Sequence, residues 1–88
     1  MKILYLPLKK EWYEMIERGE KTEEYREIKP YWNKRLINGK HTHVKFSYGY
    51  TKQTMIFEYK KLTIGYGNPE WGAPKEDCYI IKLGERIS

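Results

Sequence analysis

From Val44 to Tyr66 the apolar side chains of this chain fall on every second residue. Val44, Phe46, Tyr48 and Tyr50 alternate with Lys45, Ser47 and Gly49, and after a turn at Thr51-Lys52 the residues Met55, Phe57 and Tyr59 alternate in the same way. Side chains on a strand point to opposite faces in turn, so this pattern reads as half-buried strands. The phase slips by one residue at Lys60-Lys61 and resumes with Leu62, Ile64 and Tyr66. A one-residue slip inside a continuing strand is the sequence form of a β-bulge, which bends a strand around a small barrel. A long loop, Gly65 to Asp77, then leads to a last strand at Cys78–Leu83.

The first half has a different period. Met1–Leu6 reads as a short strand, apolar on both faces and ended by Pro7. Trp12, Met15 and Ile16 then stand at i, i+3 and i+4, with Leu8 one turn earlier and charged residues opposite, which predicts an amphipathic helix over Lys9–Arg18. Gly19 sits where a left-handed glycine closes a helix. Thr22–Ile28 fits either a strand or a helical continuation; Gly19 favours the strand, with Thr22, Glu24 and Arg26 on one face. Pro30 opens a second short helix at its first position, carrying Trp32 and Leu36, and Asn38-Gly39 stops it. The expected fold is α+β: a small β-barrel with two flanking short helices, one domain over residues 1–88.

Composition narrows the function classes. The chain carries 17 Lys and Arg against 12 Asp and Glu, a net charge of +5, and 16% of its residues are aromatic. A basic, aromatic-rich chain leans toward an anionic partner with flat groups. Cys78 is the only cysteine, so no intramolecular disulfide forms, which suits a reducing, cytoplasmic compartment. No apolar run approaches the ~20 residues that span a bilayer, so no membrane partner is expected. His41 and His43 share a face if the third strand starts early, yet no carboxylate or thiol stands near to complete a metal set. Neither a metal nor a cofactor is implied.

The sharpest cluster is Gly19-Glu20-Lys21-Thr22-Glu23-Glu24-Tyr25-Arg26. On the strand reading Glu24 and Arg26 project together, and Lys21 at the helix-to-strand junction can turn toward the same face. A lysine, a carboxylate and an arginine converging in a cleft suit an anionic or amide-bearing ligand, because Arg clamps phosphate or carboxylate with two donors. The same residues also describe a solvated strand face, where ion pairs contribute about 0–1 kcal/mol.

Gly19, Lys21, Glu24 and Arg26 stand in the spacing G-x-K-x-x-E-x-R, which resembles the motif of the ASCH domain (activating signal cointegrator homology). The flanking segments Leu8–Ile16, Tyr25–Trp32 and Gly65–Pro74 resemble a short ASCH subgroup of bacteria and their phages, so the resemblance extends over nearly the whole chain. It implies a PUA-like β-barrel whose motif residues line a basic, aromatic-walled cleft that binds RNA or a modified nucleotide. Some small members are amidohydrolases acting on N4-acetylcytidine, and ribonuclease activity is also attributed to the family. In that alternative Lys21 matches the catalytic lysine, Glu24 occupies the position of the catalytic Thr, and Glu58 or Glu70 is the candidate downstream Glu.

As a binding site, the expected contacts are Lys21, Glu24 and Arg26 with Tyr48, Tyr50, Asn68 and Trp71. Asn68 and Glu70 offer a hydrogen-bonding edge and Trp71 a stacking face; the other reading of Trp71 is a cap on the open end of the barrel. Gly65 and Gly67 precede no Gly-Lys-Ser/Thr, so they form no phosphate loop. Trp12 and Trp32 are expected in the core from their helical spacing, and Cys78 as a small core hydrophobe. A protein-binding surface built from exposed aromatics is a third reading.

Overall fold

A computed structural model describes residues 1–88. The chain order is β1 (Ile3–Leu8), α1 (Lys10–Glu17), β2 (Glu23–Arg26), α2 (Pro30–Ile37), β3 (His43–Tyr48), β4 (Thr54–Gly65), a 3₁₀ turn at Pro69–Trp71, and β5 (Cys78–Arg86). The strands form one mixed five-stranded sheet in the order β1-β3-β4-β5-β2, curled into a half-barrel. β1 and β3 are parallel, and β3, β4 and β5 form an antiparallel meander to which β2 adds antiparallel on β5. No helix is long and apolar enough to cross a membrane.

The curl has its source in β4. Its register on β5 shifts between Phe57 and Tyr59 and again between Tyr59 and Lys61. This is the expected bulge, placed one or two residues earlier, and it bends the long strand between its two partners. The curl brings the two edge strands, β1 and β2, toward each other, so that Arg26 Nη2 lies 3.5 Å from the Pro7 carbonyl oxygen.

Four local expectations need correction. β1 does not stop at Pro7 but runs on to Leu8; an edge strand has a partner on one side only and tolerates a proline. Nor is β1 apolar on both faces in effect, since Leu4, Leu6 and Leu8 are buried while Tyr5 is exposed. Leu8 therefore belongs to the strand rather than to the helical stripe. β5 extends past Leu83 to Arg86, where it still pairs with Phe57.

Leu4, Leu6 and Leu8 meet Val44, Phe46, Met55 and Ile81 in the main core, which α1 covers with Tyr13 and Ile16 and α2 with Leu36. The first part of β5, Cys78 to Ile81, is buried on both faces. Tyr79 and Ile81 join the main core, whereas Cys78 and Ile80 pack with Tyr25 and Ala73 in a second, smaller cluster under the 65–77 loop. That loop is therefore a structural cover as well as a connection.

Candidate functional site

The site begins with the end of α1. Gly19 adopts φ 80°, its N–H donates to Ile16 O, and the N–H of Glu20 donates to Met15 O, both at 3.0 Å. These are the paired bonds of a Schellman closure, which a left-handed glycine permits. The Lys21 N–H also reaches Met15 O at 3.0 Å, so the chain folds back on the helix end before β2 starts. This hairpin aims the Lys21 side chain inward instead of into solvent.

Lys21 is 2% exposed and Glu24 4% exposed, the two charged residues of the buried set. Lys21 Nζ donates to Glu24 Oε1 at 3.1 Å and to the carbonyl oxygen of Trp71 at 2.6 Å. It also lies 4.5 Å from the centre of the Tyr25 ring and 5.5 Å from that of Trp12. Burial pulls its pKa below the ordinary lysine value, opposed by the Glu24 carboxylate and reinforced by the Arg26 charge. The second Glu24 oxygen accepts from Arg26 Nη1, which also donates to Tyr25 O at 2.9 Å. Glu24 thus bridges two cations, one sealed in and one reaching outward. The three motif residues do share a face, as the strand reading expects.

Arg26 is the member that meets the exterior. Its side chain keeps 19% of its exposure, and its guanidinium carbon lies 5.2 Å from the centre of the Trp32 ring. With Glu24 it lines a cleft of about 500 Å³ between the edge strands and the two helices. The cleft's aromatic walls are Tyr5, Trp12, Tyr31, Trp32 and Tyr50, and Lys9 and Arg35 add charge. Tyr50 is 97% exposed, so its ring is available to a ligand at the cleft mouth.

Not every expected contact arrives here. Tyr48 packs edge-to-face on Tyr13 with ring centres 5.3 Å apart and joins the main core. Asn68 works within its own loop: its side-chain oxygen accepts from Glu70 N at 2.9 Å, and its N–H donates to the Tyr25 hydroxyl at 3.1 Å. Trp71 supports Lys21 through its carbonyl while its ring packs on the second cluster. Asn68 and Trp71 therefore stand behind the lysine, outside the cleft lining. Glu58 accepts from Glu85 N between β4 and β5, and Glu70 is exposed on the 3₁₀ turn. Neither approaches Lys21.

The reverse error concerns Trp12 and, in part, Trp32. Helical spacing assigns both to the core; Trp32 does pack on the main core while also walling the cleft, whereas Trp12 is a half-buried cleft wall and Tyr13 takes the core position on α1. A sequence signal for this exists in part: Tyr13 and Ile16 form their own i, i+3 pair, and Trp12 sits at the edge of that stripe. Gly72 explains how Trp12 is held. It adopts φ 91°, and a Cβ there would fall 2.8 Å from the Trp12 ring, so the loop backbone seats directly against the indole.

No family model matches the chain, and neither a curated protein nor a solved structure shows significant similarity to it.

Proposed function

We propose that the protein is a binding module whose aromatic-walled basic cleft takes RNA or a modified nucleotide, as its resemblance to ASCH and PUA-like domains implies. The observation that carries this reading is Arg26: a guanidinium oriented by a buried carboxylate, open on one side and set against the Trp32 ring, in a cleft that Trp12 and Tyr31 also line. A planar cation beside an aromatic face suits a phosphate or base carbonyl next to a stacked base. Glu24 holds Arg26 in place and Lys21 neutralises Glu24 from behind, so both act on the ligand through Arg26. The half-barrel with two helices is in keeping with a PUA-like barrel, and the buried, unpaired thiol of Cys78 with a cytoplasmic setting.

The test is fluorescence anisotropy with labelled single-stranded rU6 at two salt concentrations, run on the parent and on Arg26→Gln. Affinity should fall with salt, and Arg26→Gln should lose about 1.5–3 kcal/mol, the contribution of a charge-assisted hydrogen bond. If the parent does not bind, or the variant binds equally well, the cleft reading is wrong.

One observation favours the enzymatic alternative, an amidohydrolase or ribonuclease using Lys21 and Glu24: the lysine's depressed pKa moves it toward the range a general base needs. Against that, its ammonium is enclosed and already engaged by Glu24 and Trp71. Absence of turnover of N4-acetylcytidine and of RNA, measured beside Lys21→Ala, removes the alternative.

A further inference from the structure

Beside the cleft lies a second concavity of about 510 Å³, lined by Lys2, Tyr31, Lys34, Arg35, Asn38, Gly39 and His41. Tyr31 and Arg35 also line the cleft, so the two hollows are contiguous through the outer side of α2. Three of the lining residues are cations, the neighbours Lys34 and Arg35 on α2 and Lys2 from the other end of the sequence's first half, and no carboxylate lines the pocket. None of Lys2, Lys34 and Arg35 is paired with an acidic side chain anywhere in the molecule. Lys34 and Arg35 lie in the last turn of α2, where the helix dipole favours positive charge. That accounts for two of the charges but not for Lys2, which arrives from the start of β1.

His41 supplies an independent sign. Its Nδ1 is buried and has no hydrogen-bond partner, although a buried polar atom normally has one. The imidazole is pressed against the end of α2: a Cβ on Gly39 would fall 2.2 Å from the His41 ring and 2.3 Å from Arg35 O, so glycine is what permits the approach. Burial lowers the His41 pKa first, and the nearby Lys2 and Arg35 charges lower it further. The convergence of like charges costs free energy that an anion would recover.

We propose that this pocket is a second anion subsite, taking the phosphate adjacent to the nucleotide in the cleft, so that the ligand is a single-stranded oligonucleotide rather than a free nucleotide. The proposal rests on the cleft being the nucleotide site. Arg35, with its guanidinium carbon 4.7 Å from the centre of the Tyr31 ring, stands on the boundary and serves both hollows. Most of the aromatic walls lie on the cleft side, and the pocket adds Lys2 and Lys34 beyond the shared Tyr31 and Arg35, an arrangement that suits a stacked base followed by a backbone phosphate.

The experiment uses the full chain and the double variant Lys2→Ala/Lys34→Ala. Both positions are exposed, so the fold is retained, as an unchanged melting temperature verifies. Labelled rU6 and dT6 are titrated across a salt series, and UMP is titrated by calorimetry. The variant should bind the hexamer several-fold more weakly. Its plot of log K against log salt should be shallower by about 0.7 for each phosphate it no longer neutralises, with UMP affinity unchanged. The weakening is expected in whichever strand the parent binds, and the rU6 to dT6 ratio identifies that strand as RNA or DNA. If the parent binds UMP or the hexamer but the variant keeps the same hexamer affinity and slope, the second subsite is overturned and the cleft reading stands. If the parent binds neither probe, both are overturned.

Discussion

Removing the Glu24 charge should destabilise this protein more than removing the Lys21 charge, and the second change should partly rescue the first. In Glu24→Gln the ammonium of Lys21, 1% exposed at the side chain, loses the negative charge 3.1 Å away and keeps only neutral partners, the new amide oxygen, the Trp71 carbonyl and two aromatic rings. Across that distance, at an effective dielectric near 20, the lost attraction is about 5 kcal/mol. Deprotonating an ordinary lysine at pH 7 also costs about 5 kcal/mol, which sets a ceiling on the penalty. Broken buried pairs cost about 3–5 kcal/mol. Arg26 adds little, because its partly exposed guanidinium can turn to water. The expectation is about 3–5 kcal/mol, or a fall in melting temperature of at least ~12 °C for a domain of this size.

Lys21→Met leaves the Glu24 charge compensated by Arg26 while stranding two acceptors, the Trp71 carbonyl and Glu24 Oε1, at a cost of about 1–3 kcal/mol. Lys21→Met/Glu24→Gln should therefore be more stable than Glu24→Gln alone. Urea and thermal unfolding of the four proteins measure all of this. A loss below about 1 kcal/mol for Glu24→Gln, or a double variant no more stable than it, would refute the buried-charge argument.

Three further outcomes are expected. Because the folded-state pKa of Lys21 lies below its unfolded value, the unfolded chain binds more protons between the two. Stability should thus rise with pH from that lowered value toward 10.5, and Lys21→Met should abolish the rise in urea titrations. Tyr25, whose pKa burial raises above 10.0, acts oppositely beyond that pH, so Tyr25→Phe serves as the control. Gly72→Ala should lose about 1–2 kcal/mol from its left-handed backbone alone, and the new methyl group should shift Trp12 fluorescence, since it would sit 2.8 Å from that ring. Tyr50→Ala, at a 97% exposed position, should leave the melting temperature unchanged while weakening rU6 binding by about 1–3 kcal/mol; unchanged binding would exclude Tyr50 as a stacking wall.

Much of the architecture is written in short-range patterns. The strand alternation, the β4 bulge, the Gly19 closure, Pro30 at the start of α2 and the common face of Glu24 and Arg26 each depend on residues a few positions apart. Their physics is local: pleat, helical turn and left-handed glycine. The motif cluster is legible for the same reason.

The role of each cluster member came from long-range packing. Lys21 is buried because a carbonyl from Trp71, fifty positions away, meets its ammonium. Arg26 becomes the outward cation because the curl of the sheet brings β2 beside β1. Trp12 and Trp32 have core-like spacing, but a helical stripe records which side is apolar and not whether a partner element covers its edge. Tyr48 and Asn68 carry the right chemistry and were drawn into packing and capping instead. The elements and the grouping of the ionic residues were thus fixed by the order of amino acids alone. Which of those charges is sealed and which faces solvent depended on closure of the whole chain, because burial is set by what packs over a side chain and not by its neighbours in sequence.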